Sequence, residues 1–408
     1  MPRIRRILFR WRTRHAVALP AAAGLVLAAA AVQTIAWRQP IRVGSGWIEP
    51  LANLLHALNA PGWAAAILAI GFPPTYGLGV TLSVTLISLA CYAAVFWTAR
   101  IVWRARQRRS EPAKEPDPSR RRLLLGGAAI GASAPVLTLA YATLVEPFDL
   151  RVRRYRVPID GLPPAFHGLR VVQITDTHLG PRVPAWHIRD SVERALSLRP
   201  ELIVLTGDYV HRGSTRVPES ANLLAPLVAS GVPVVGVLGN HDHYTGNPRR
   251  VRRELRRVGV HVLHNQSVYL APNRTLRAHA EPGSLGIAGV DDLGSGEADP
   301  LAALADIPAE TPRLLLSHNP DLAESAALIA PGSPRVDLML SGHTHGGHVA
   351  LPLLGRPIST SPFGQKYAHG LVRGPACPVL ISAGVGMSIL PVRLGVPPEI
   401  VLVELTPA

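Results

Sequence analysis

The stretch "LRVVQITDTH", Leu169–His178, joins an apolar, β-branched run to a polar cluster that contains a carboxylate and an imidazole. A short run of this composition is typical of a buried strand, and it places Asp176 and His178 directly after the strand. Residues two apart in an extended segment face the same side, so both side chains can bind one metal ion. The stretch therefore predicts a strand that ends in a pair of potential metal ligands.

Four further apolar runs end in polar clusters of the same kind: "LIVLT" (202–206) before "GD", "PVVGVLG" (233–239) before "NHDH", "RLLLS" (313–317) before "HNP", and "VDLMLSG" (336–342) before "HTHGGH". Helix-like segments at 185–198 and 219–230 separate the first three runs, and this alternation predicts parallel pairing in an α/β sheet. Later runs lack such helices, which predicts that part of the sheet is antiparallel. Ligands of α/β sheets gather outside the carboxyl ends of the strands, so we expect the clusters to meet there.

Carboxylate, carboxamide and imidazole ligands without thiolates suit divalent ions such as Mn, Fe, Zn or Co. Two metals a few ångströms apart need one ligand that touches both, usually a carboxylate. Asp208 is the natural bridge, because Gly207 before it permits a close turn. His343 and His345 repeat the two-apart spacing, and we expect them to contact different metals. The two cysteines, Cys91 and Cys377, are too few for a thiolate metal site.

With these motifs the chain resembles the calcineurin-like metallophosphoesterase superfamily. The resemblance covers about residues 156–405 through DTH, GD, GNHD, SH and GHTH in the family's order. It implies a four-layer α/β/β/α sandwich and two divalent metal ions that activate water for attack on a phosphoester. The implied ligands of one metal are Asp176, His178, Asp208 and His345, and those of the other are Asp208, Asn240, His318 and His343. His241 is implied as the general acid or charge stabiliser at the substrate phosphate, oriented by Asp242.

Finer features resemble a membrane-associated, twin-arginine-exported branch of that superfamily, namely "VDD" (290–292), "GHTHGGHVALP" and "GVGMSILPVRLGVPPEI". The chain departs from the pattern at His348, where a glutamine is more usual, and His211 stands where purple acid phosphatases have a tyrosine. His187, His211, His243 and His348 lie near the predicted metal loops, where either substrate contact or a structural role fits. Asp291 and Asp292 fit either the border of the pocket or a turn. No substrate-binding residue is identified.

Residues 1–149 are predicted to form a membrane region ahead of a phosphoesterase domain at 150–408. Three long, uncharged, mostly apolar segments lie at 16–37, 77–99 and 123–145. At about 1.5 Å per residue the first is about 33 Å of helix, enough to cross a bilayer core of about 30 Å. The segment 51–72 contains polar residues and Pro61, and it fits an interfacial helix or a fourth span.

The basic residues set the expected orientation. Residues 1–122 hold 17 Lys and Arg against 4 Asp and Glu, whereas the remainder holds 25 against 23. The loop 104–122 is therefore predicted to be cytoplasmic. The basic segment 1–15 is predicted to be cytoplasmic as well. Three spans satisfy both predictions and place the phosphoesterase domain outside the cytoplasm, whereas four spans would expose the loop and keep the domain inside. Arg120 and Arg121 fit a twin-arginine export signal or a stop-transfer cluster. The nearly balanced charge of the domain gives no reason to expect a nucleic-acid partner.

These observations predict an integral membrane protein with a two-metal phosphoesterase that hydrolyses a phosphodiester or pyrophosphate bond, in a lipid or envelope glycolipid. Three alternatives remain: a broad phosphodiesterase on soluble nucleotides or esters, a nuclease of the same superfamily, and a catalytically silent, metal-dependent binding module. The arginine-rich segment "PRRVRRELRRVG" (248–259) fits an amphipathic helix with a solvated face, or a contact with anionic lipid. The oligomeric state is not predicted.

Overall fold

The computed structural model describes residues 137–352, 355–356, 358–388 and 392–408. The predicted spans 16–37 and 77–99, the segment 51–72, the loop 104–122 and most of the span 123–145 lie outside the described residues. The end of that last segment is described, and residues 137–144 are helical. Within the described ranges, no helix has both the length and the apolar character that crossing a bilayer requires.

The strands of the described part are β1 Arg151–Ile159, β2 Leu169–Ile174, β3 Leu202–Leu205, β4 Val234–Gly236, β5 His261–Val262, β6 Gln266–Leu270, β7 Leu276–Arg277, β8 Leu285–Gly289, β9 Arg313–Leu316, β10 Leu338–Ser341, β11 Gly370–Arg373, β12 Pro378–Ile381 and β13 Glu399–Pro407. The helices that follow residue 150 are α1 Ala185–Ser197, α2 Val217–Ala229, α3 Asn240–His243, α4 Pro248–Arg257, α5 Pro300–Leu304 and α6 Ala326–Ile329. Short 3-10 turns lie at Glu146–Phe148, Pro164–Phe166, Pro320–Glu324 and His345–Gly347.

The strands form two mixed sheets. The first has the order β1-β13-β2-β3-β4-β5, in which β2 to β5 are parallel and β13 runs antiparallel to β2. The second has the order β11-β12-β10-β9-β8-β6-β7, with β8, β9, β10 and β12 parallel and β6, β7 and β11 antiparallel to their neighbours. The predicted mixed α/β character is therefore confirmed.

Apolar residues bury both faces of each sheet. Val171 and Val204 pack with Leu340 of the second sheet between the two sheets, where all three are fully buried. Their neighbours Val172 and Ile203 point the other way, because side chains alternate along a strand, and they pack against helices. Burying a Val or Leu side chain completely stabilises the fold by about 1.5–3 kcal/mol. This double burial explains why the strands are continuous apolar runs rather than alternating ones.

The helices cover the two outer faces. Helices α1, α2 and α4 contribute Ile188, Leu224 and Val251 to the cluster on the first sheet. Helices α5 and α6 contribute Leu304 and Leu328 to the cluster on the second sheet. The order of layers is thus helix, sheet, sheet, helix. The carboxyl ends of β2, β3 and β4 in one sheet and of β9 and β10 in the other lead into the five polar clusters that the sequence marks.

Candidate metal centre

The backbone at the strand ends is held in an uncommon conformation. Five of the seven predicted ligands have positive φ: Asp176 (54°), His178 (44°), Asp208 (59°), His343 (71°) and His345 (51°). Residues other than glycine pay about 1–3 kcal/mol for such conformations, which persist where the surrounding structure over-determines them and which cluster at functional sites. These backbone conformations lower the stability of the fold, and they turn the five side chains towards one place.

One group of ligand atoms converges around His178. Its Nε2 lies 3.0 Å from Nε2 of His345, 3.4 Å from Oδ2 of Asp208 and 3.7 Å from Oδ1 of Asp176. His345 Nε2 lies 3.3 Å from the same Asp176 oxygen. Asp176 and His178 have no exposed surface, and His345 retains 2%. The four residues of the first predicted metal set thus meet in one buried group.

A second group converges around His318. Its Nε2 lies 3.3 Å from Oδ2 of Asp208 and 3.0 Å from Oδ1 of Asn240. His343 Nδ1 lies 3.0 Å from that Asn240 oxygen and 3.2 Å from His318 Nε2. Asp208 Oδ2 therefore stands between the two groups, in contact with an imidazole of each. This is the position that a bridging ligand occupies.

The separations match those that a divalent ion imposes. Ligand atoms about 2.1 Å from an ion lie about 3.0–3.4 Å from one another in octahedral or tetrahedral geometry. Facing imidazole nitrogens also have no stable arrangement without a proton or a cation between them. The oxygen and nitrogen donors suit the Mn, Fe, Zn and Co group. The described residues thus fit a site for two ions that share Asp208.

Two glycines permit the close approach of the loops. Gly207 has φ of 98°, and a Cβ there would lie 2.5 Å from the backbone nitrogen of Gly239, which no side chain allows. A Cβ at Gly342 would collide with Oδ2 of Asp176. Any larger residue at either position would separate loops that carry ligands.

Hydrogen bonds orient the ligands from behind. His318 donates its Nδ1–H to the carbonyl oxygen of Thr206 at 2.8 Å, which leaves Nε2 free to face the site. The hydroxyl of Thr175 donates to Oδ2 of Asp176 at 2.7 Å. Such outer contacts fix the tautomer and the ring orientation of metal-binding imidazoles.

Electrostatics couple Asp208 to its imidazole neighbours. Burial would raise the pKa of Asp208, but His318, His241 and His178 hold that pKa below its usual range. Burial lowers the pKa of His318, yet the Asp208 carboxylate raises it well above the usual value. Without an ion the pair keeps a proton, and a divalent cation would displace it. Metal binding is therefore expected to release protons.

Asp242 differs from its predicted role. Its carboxylate accepts hydrogen bonds from the backbone N–H groups of Asp208 at 2.8 Å, Tyr209 at 3.0 Å and Gly239 at 2.9 Å. The His241 ring is oriented instead by the carbonyl oxygen of His211, 2.6 Å from Nδ1. Burial, with Asp208 close by, raises the pKa of Asp242 to about 7. Asp242 thus ties two ligand-bearing loops together and does not contact the His241 imidazole.

His241 lies at the mouth of the site, beside the ring of His178. Because a carbonyl oxygen can only accept, Nδ1 carries the ring proton, and Nε2 faces the hydroxyl of Ser388 at 3.0 Å. Burial lowers the pKa of His241 to about 4, so the ring is neutral at pH 7. An anionic phosphate next to Nε2 would favour its protonation, which is what a donor to the reacting phosphate requires.

The other four histidines near the predicted metal loops either lie beside the metal centre or make structural contacts. His211 and His348 adjoin the centre: the His211 ring lies 5.2 Å from that of His241, and His348 stacks on His345 at 4.7 Å. His187 and His243 make structural contacts. His187 Nε2 bonds the carbonyl oxygen of Val385, and Asp291 accepts from His243 Nε2 at 2.8 Å.

The two aspartates of "VDD" mainly shape a turn. Oδ2 of Asp292 accepts the backbone N–H groups of Gly294 and Ser295, and Oδ2 of Asp291 accepts that of Glu297. Asp291 also raises the pKa of His243 through their hydrogen bond. The turn alternative therefore accounts for the recorded hydrogen bonds of this segment.

Comparison with known proteins identifies the family. The family model of calcineurin-like phosphoesterases matches residues 169–347, which contain all five motifs. An uncharacterised metallophosphoesterase of Bacillus subtilis, YkuE, is 32% identical over 293 residues, which cover 70% of this chain and 97% of YkuE. The chain belongs to the calcineurin-like phosphoesterase family.

Two further relatives carry names that describe an activity. The phosphodiesterase YaeI of Escherichia coli is 32% identical over 70% of this chain and 99% of its own length. The UDP-2,3-diacylglucosamine pyrophosphatase LpxG of Chlamydia trachomatis is 28% identical over 54% of this chain and 76% of its own length. The resemblance seen in the sequence is thus confirmed at the level of the superfamily. The chain is a metal-dependent phosphoester hydrolase of a family that uses a dinuclear metal site.

The sequence motifs did not indicate three contacts near the metal centre. The hydroxyl of Ser388 contacts His241, Arg182 Nη1 donates to the carbonyl oxygen of Ser388 at 2.6 Å, and the His211 carbonyl orients the His241 ring. The only sequence signal was "GVGMSILP", which resembled the exported branch without indicating what its serine contacts.

Proposed function

We propose that this chain is a membrane-anchored phosphoesterase that hydrolyses a phosphodiester or pyrophosphate bond in a lipid-linked substrate. Two divalent ions of the Mn, Fe, Zn and Co group would be held by the seven residues of the two ligand groups. The observation that carries the proposal is the position of Asp208 Oδ2, 3.4 Å from His178 Nε2 and 3.3 Å from His318 Nε2.

Bound ions would supply Lewis acidity, which makes water nucleophilic near neutral pH and neutralises phosphate charge. The protein's own contribution is placement. Asp208 holds the two groups of ligands together, and Asp242 holds the backbone of Asp208. His241 presents Nε2 to a phosphate oxygen or to the leaving group, in the place that Ser388 Oγ now contacts. We propose His241 as the donor that stabilises charge in the transition state.

The lipid-linked substrate is supported by two observations of different kinds. The sequence ahead of the domain contains three long apolar segments, so the active site would be tethered near a bilayer. One relative, LpxG, is named as a pyrophosphatase of a diacylated sugar nucleotide. Both favour a substrate whose phosphate lies at a membrane surface. With three spans and export by Arg120 and Arg121, that surface would be extracytoplasmic.

The arginine-rich helix α4 contributes less to this proposal than its charge suggests. Arg256 donates to the carbonyl oxygen of Val262, and Arg257 bonds Glu254 and Asn222. Arg252 contacts His264 at 3.1 Å. Since Val251 and Leu255 are buried, α4 is an amphipathic helix, and three of the six arginines on it have local partners. We therefore do not place the lipid contact there.

A second candidate function is a broad phosphodiesterase on soluble nucleotides or esters. The relative YaeI is named a phosphodiesterase, which agrees with the reaction class of this candidate. A catalytically silent binding module is disfavoured, because all seven implied ligands are present and converge.

The test compares kcat/KM of the full-length protein in liposomes for a lipid-linked diphosphate and for a soluble aryl phosphodiester. We expect the lipid-linked substrate to be preferred by about tenfold or more, because contacts with the remote lipid add binding energy in the transition state. The Asp208→Asn variant serves as the control for contaminating activity. Equal values for both substrates would favour the broad phosphodiesterase.

A further inference from the structure

We propose that the domain rests directly on the bilayer through an apolar face next to the active site, which we call the docking face. It consists of Leu137, Tyr141, Leu144, Val145 and Trp186, all of which are exposed. The inference rests on the proposed membrane anchoring, but it adds which side of the catalytic domain faces the lipid.

The docking face is unusually apolar for a solvated surface. Leu144 is 71% exposed, and Trp186 is 47% exposed although both belong to ordered helical segments. The Trp186 ring lies 5.2 Å from that of Phe148, so the first turn of α1 packs against the short 3-10 turn that follows the helix at residues 137–144. Contiguous exposed apolar residues mark interaction sites, and tryptophan favours the membrane–water interface.

We infer that a lipid surface binds the docking face, because the chain that leads into this face is also apolar. Residues 123–136, which precede the described helix, contain no charged residue. A protein partner would give no reason for that continuity. The exposed arginines of the neighbouring strand β1 add little to this choice, because Arg151 pairs with Asp149 and Arg153 with Glu399.

The docking face is fixed to the domain and is not carried on a free linker. The backbone N–H of Arg393 donates to the carbonyl oxygen of Ala142 at 2.9 Å. The backbone N–H of Val396 donates to Oε1 of the buried Glu146 at 2.8 Å. Since β1 begins at Arg151, no more than a few residues separate the helix from the sheet. A bilayer that holds the helix therefore also sets the orientation of the domain.

The same segment connects the docking face to the metal centre. The buried guanidinium of Arg393 donates to the carbonyl oxygens of Ala383, Gly384 and Gly386. The backbone N–H of Gly386 in turn donates to the carbonyl oxygen of the ligand Asp176 at 2.7 Å.

Helix α1 and the turn before it reach the same loop from the other side. His187, in the first turn of α1, bonds the carbonyl oxygen of Val385 through Nε2. Arg182, in the turn before α1, donates to the carbonyl oxygen of Ser388, and the Ser388 hydroxyl faces His241. The rim of the site that carries Ser388 is thus the rim nearest the docking face. A phosphate at the lipid surface would approach His241 from that side.

The experiment places an environment-sensitive fluorophore on the full-length protein through Trp186→Cys or, as control, Leu301→Cys. Leu301 is 48% exposed, close to the 47% of Trp186, but it lies on α5 over the second sheet. Cys91→Ser removes the other candidate for labelling, since Cys377 is 4% exposed. Liposomes contain nitroxide lipids, and quenching by them is measured for both positions.

We expect quenching at position 186 to exceed that at position 301 by about twofold or more, because interfacial groups lie within 5–10 Å of the headgroup boundary. Equal quenching at both positions, or none at position 186, would overturn the docking face. This readout requires no turnover. If position 186 is quenched and lipid-linked and soluble substrates react equally, the docking face stands and the substrate proposal fails.

A second variant, Trp186→Ser, tests the docking face by activity instead of by fluorescence. It should lower kcat/KM for the lipid-linked substrate severalfold and leave the soluble aryl phosphodiester unaffected. A parallel loss on both substrates would mean that Trp186 supports the fold and not the approach to lipid.

Discussion

The Asp208→Asn variant is expected to lose both metal ions. The amide keeps the shape of the side chain, and its oxygen can still accept the backbone N–H of His241, as Oδ1 of Asp208 does at 2.8 Å. It lacks the negative charge that stands between His178 and His318. Metal content measured by mass spectrometry should fall from about two ions per chain to below one, and kcat/KM by about 10³-fold or more.

The matched control for this prediction is His343→Ala. The His343 ring contacts only the second ligand group, through Asn240 and His318. Its backbone N–H donates to Asp176 of the first group, and alanine retains that contact. Its loss should deplete one ion and leave the other in place. A full complement of two ions in the Asp208→Asn variant would refute the bridging role, because Asp208 Oδ2 is the atom that contacts an imidazole of each group.

The His241→Ala variant should keep both ions and lose most of the rate. His241 contacts Ser388 and the His211 carbonyl through its two nitrogens, and its ring contributes to neither ligand group. Removal of a donor that acts in the transition state lowers kcat by about 10²–10³-fold. The measurement is kcat on a soluble aryl phosphodiester together with metal content.

Two variants separate this role from a structural one. Ser388→Ala removes only the hydroxyl next to His241, and we expect a smaller loss of kcat with both ions retained. Asp242→Asn replaces an acceptor of three backbone N–H groups, so it should lower the melting temperature as well as the rate. If His241→Ala loses metal or stability as Asp242→Asn does, the proposed role of His241 is wrong.

The positions of the metal ligands were predictable because they follow from a local rule. Asp176, Asp208 and His318 each come directly after a buried apolar strand, and the carboxyl ends of these strands meet at one edge. The division of His343 and His345 between the two groups followed from the family resemblance, since the same spacing of two places Asp176 and His178 in one group. Strand composition and chain order thus carry most of the information about the centre.

Contacts that depend on distant segments were not predictable. Asp242 was expected to orient its neighbour His241, yet it bonds backbone groups more than thirty residues away. Ser388 and His241 are 147 residues apart in the chain. Strand β1, "RVRRYRVPI", was missed because arginines interrupt its apolar pattern, which an edge strand tolerates where its side chains are exposed.

The most direct test of the two-metal site is a titration of the full-length, metal-free protein with Mn²⁺, following bound ions and aryl phosphodiester hydrolysis together. We expect activity to appear as the second ion binds and to reach its limit at two ions per chain. Proton release should accompany binding, since the Asp208 carboxylate raises the pKa of His318 well above its usual value when no metal is bound. Activity that reaches its limit at one ion, or two bound ions without turnover by Mn, Fe, Zn or Co, would contradict this account.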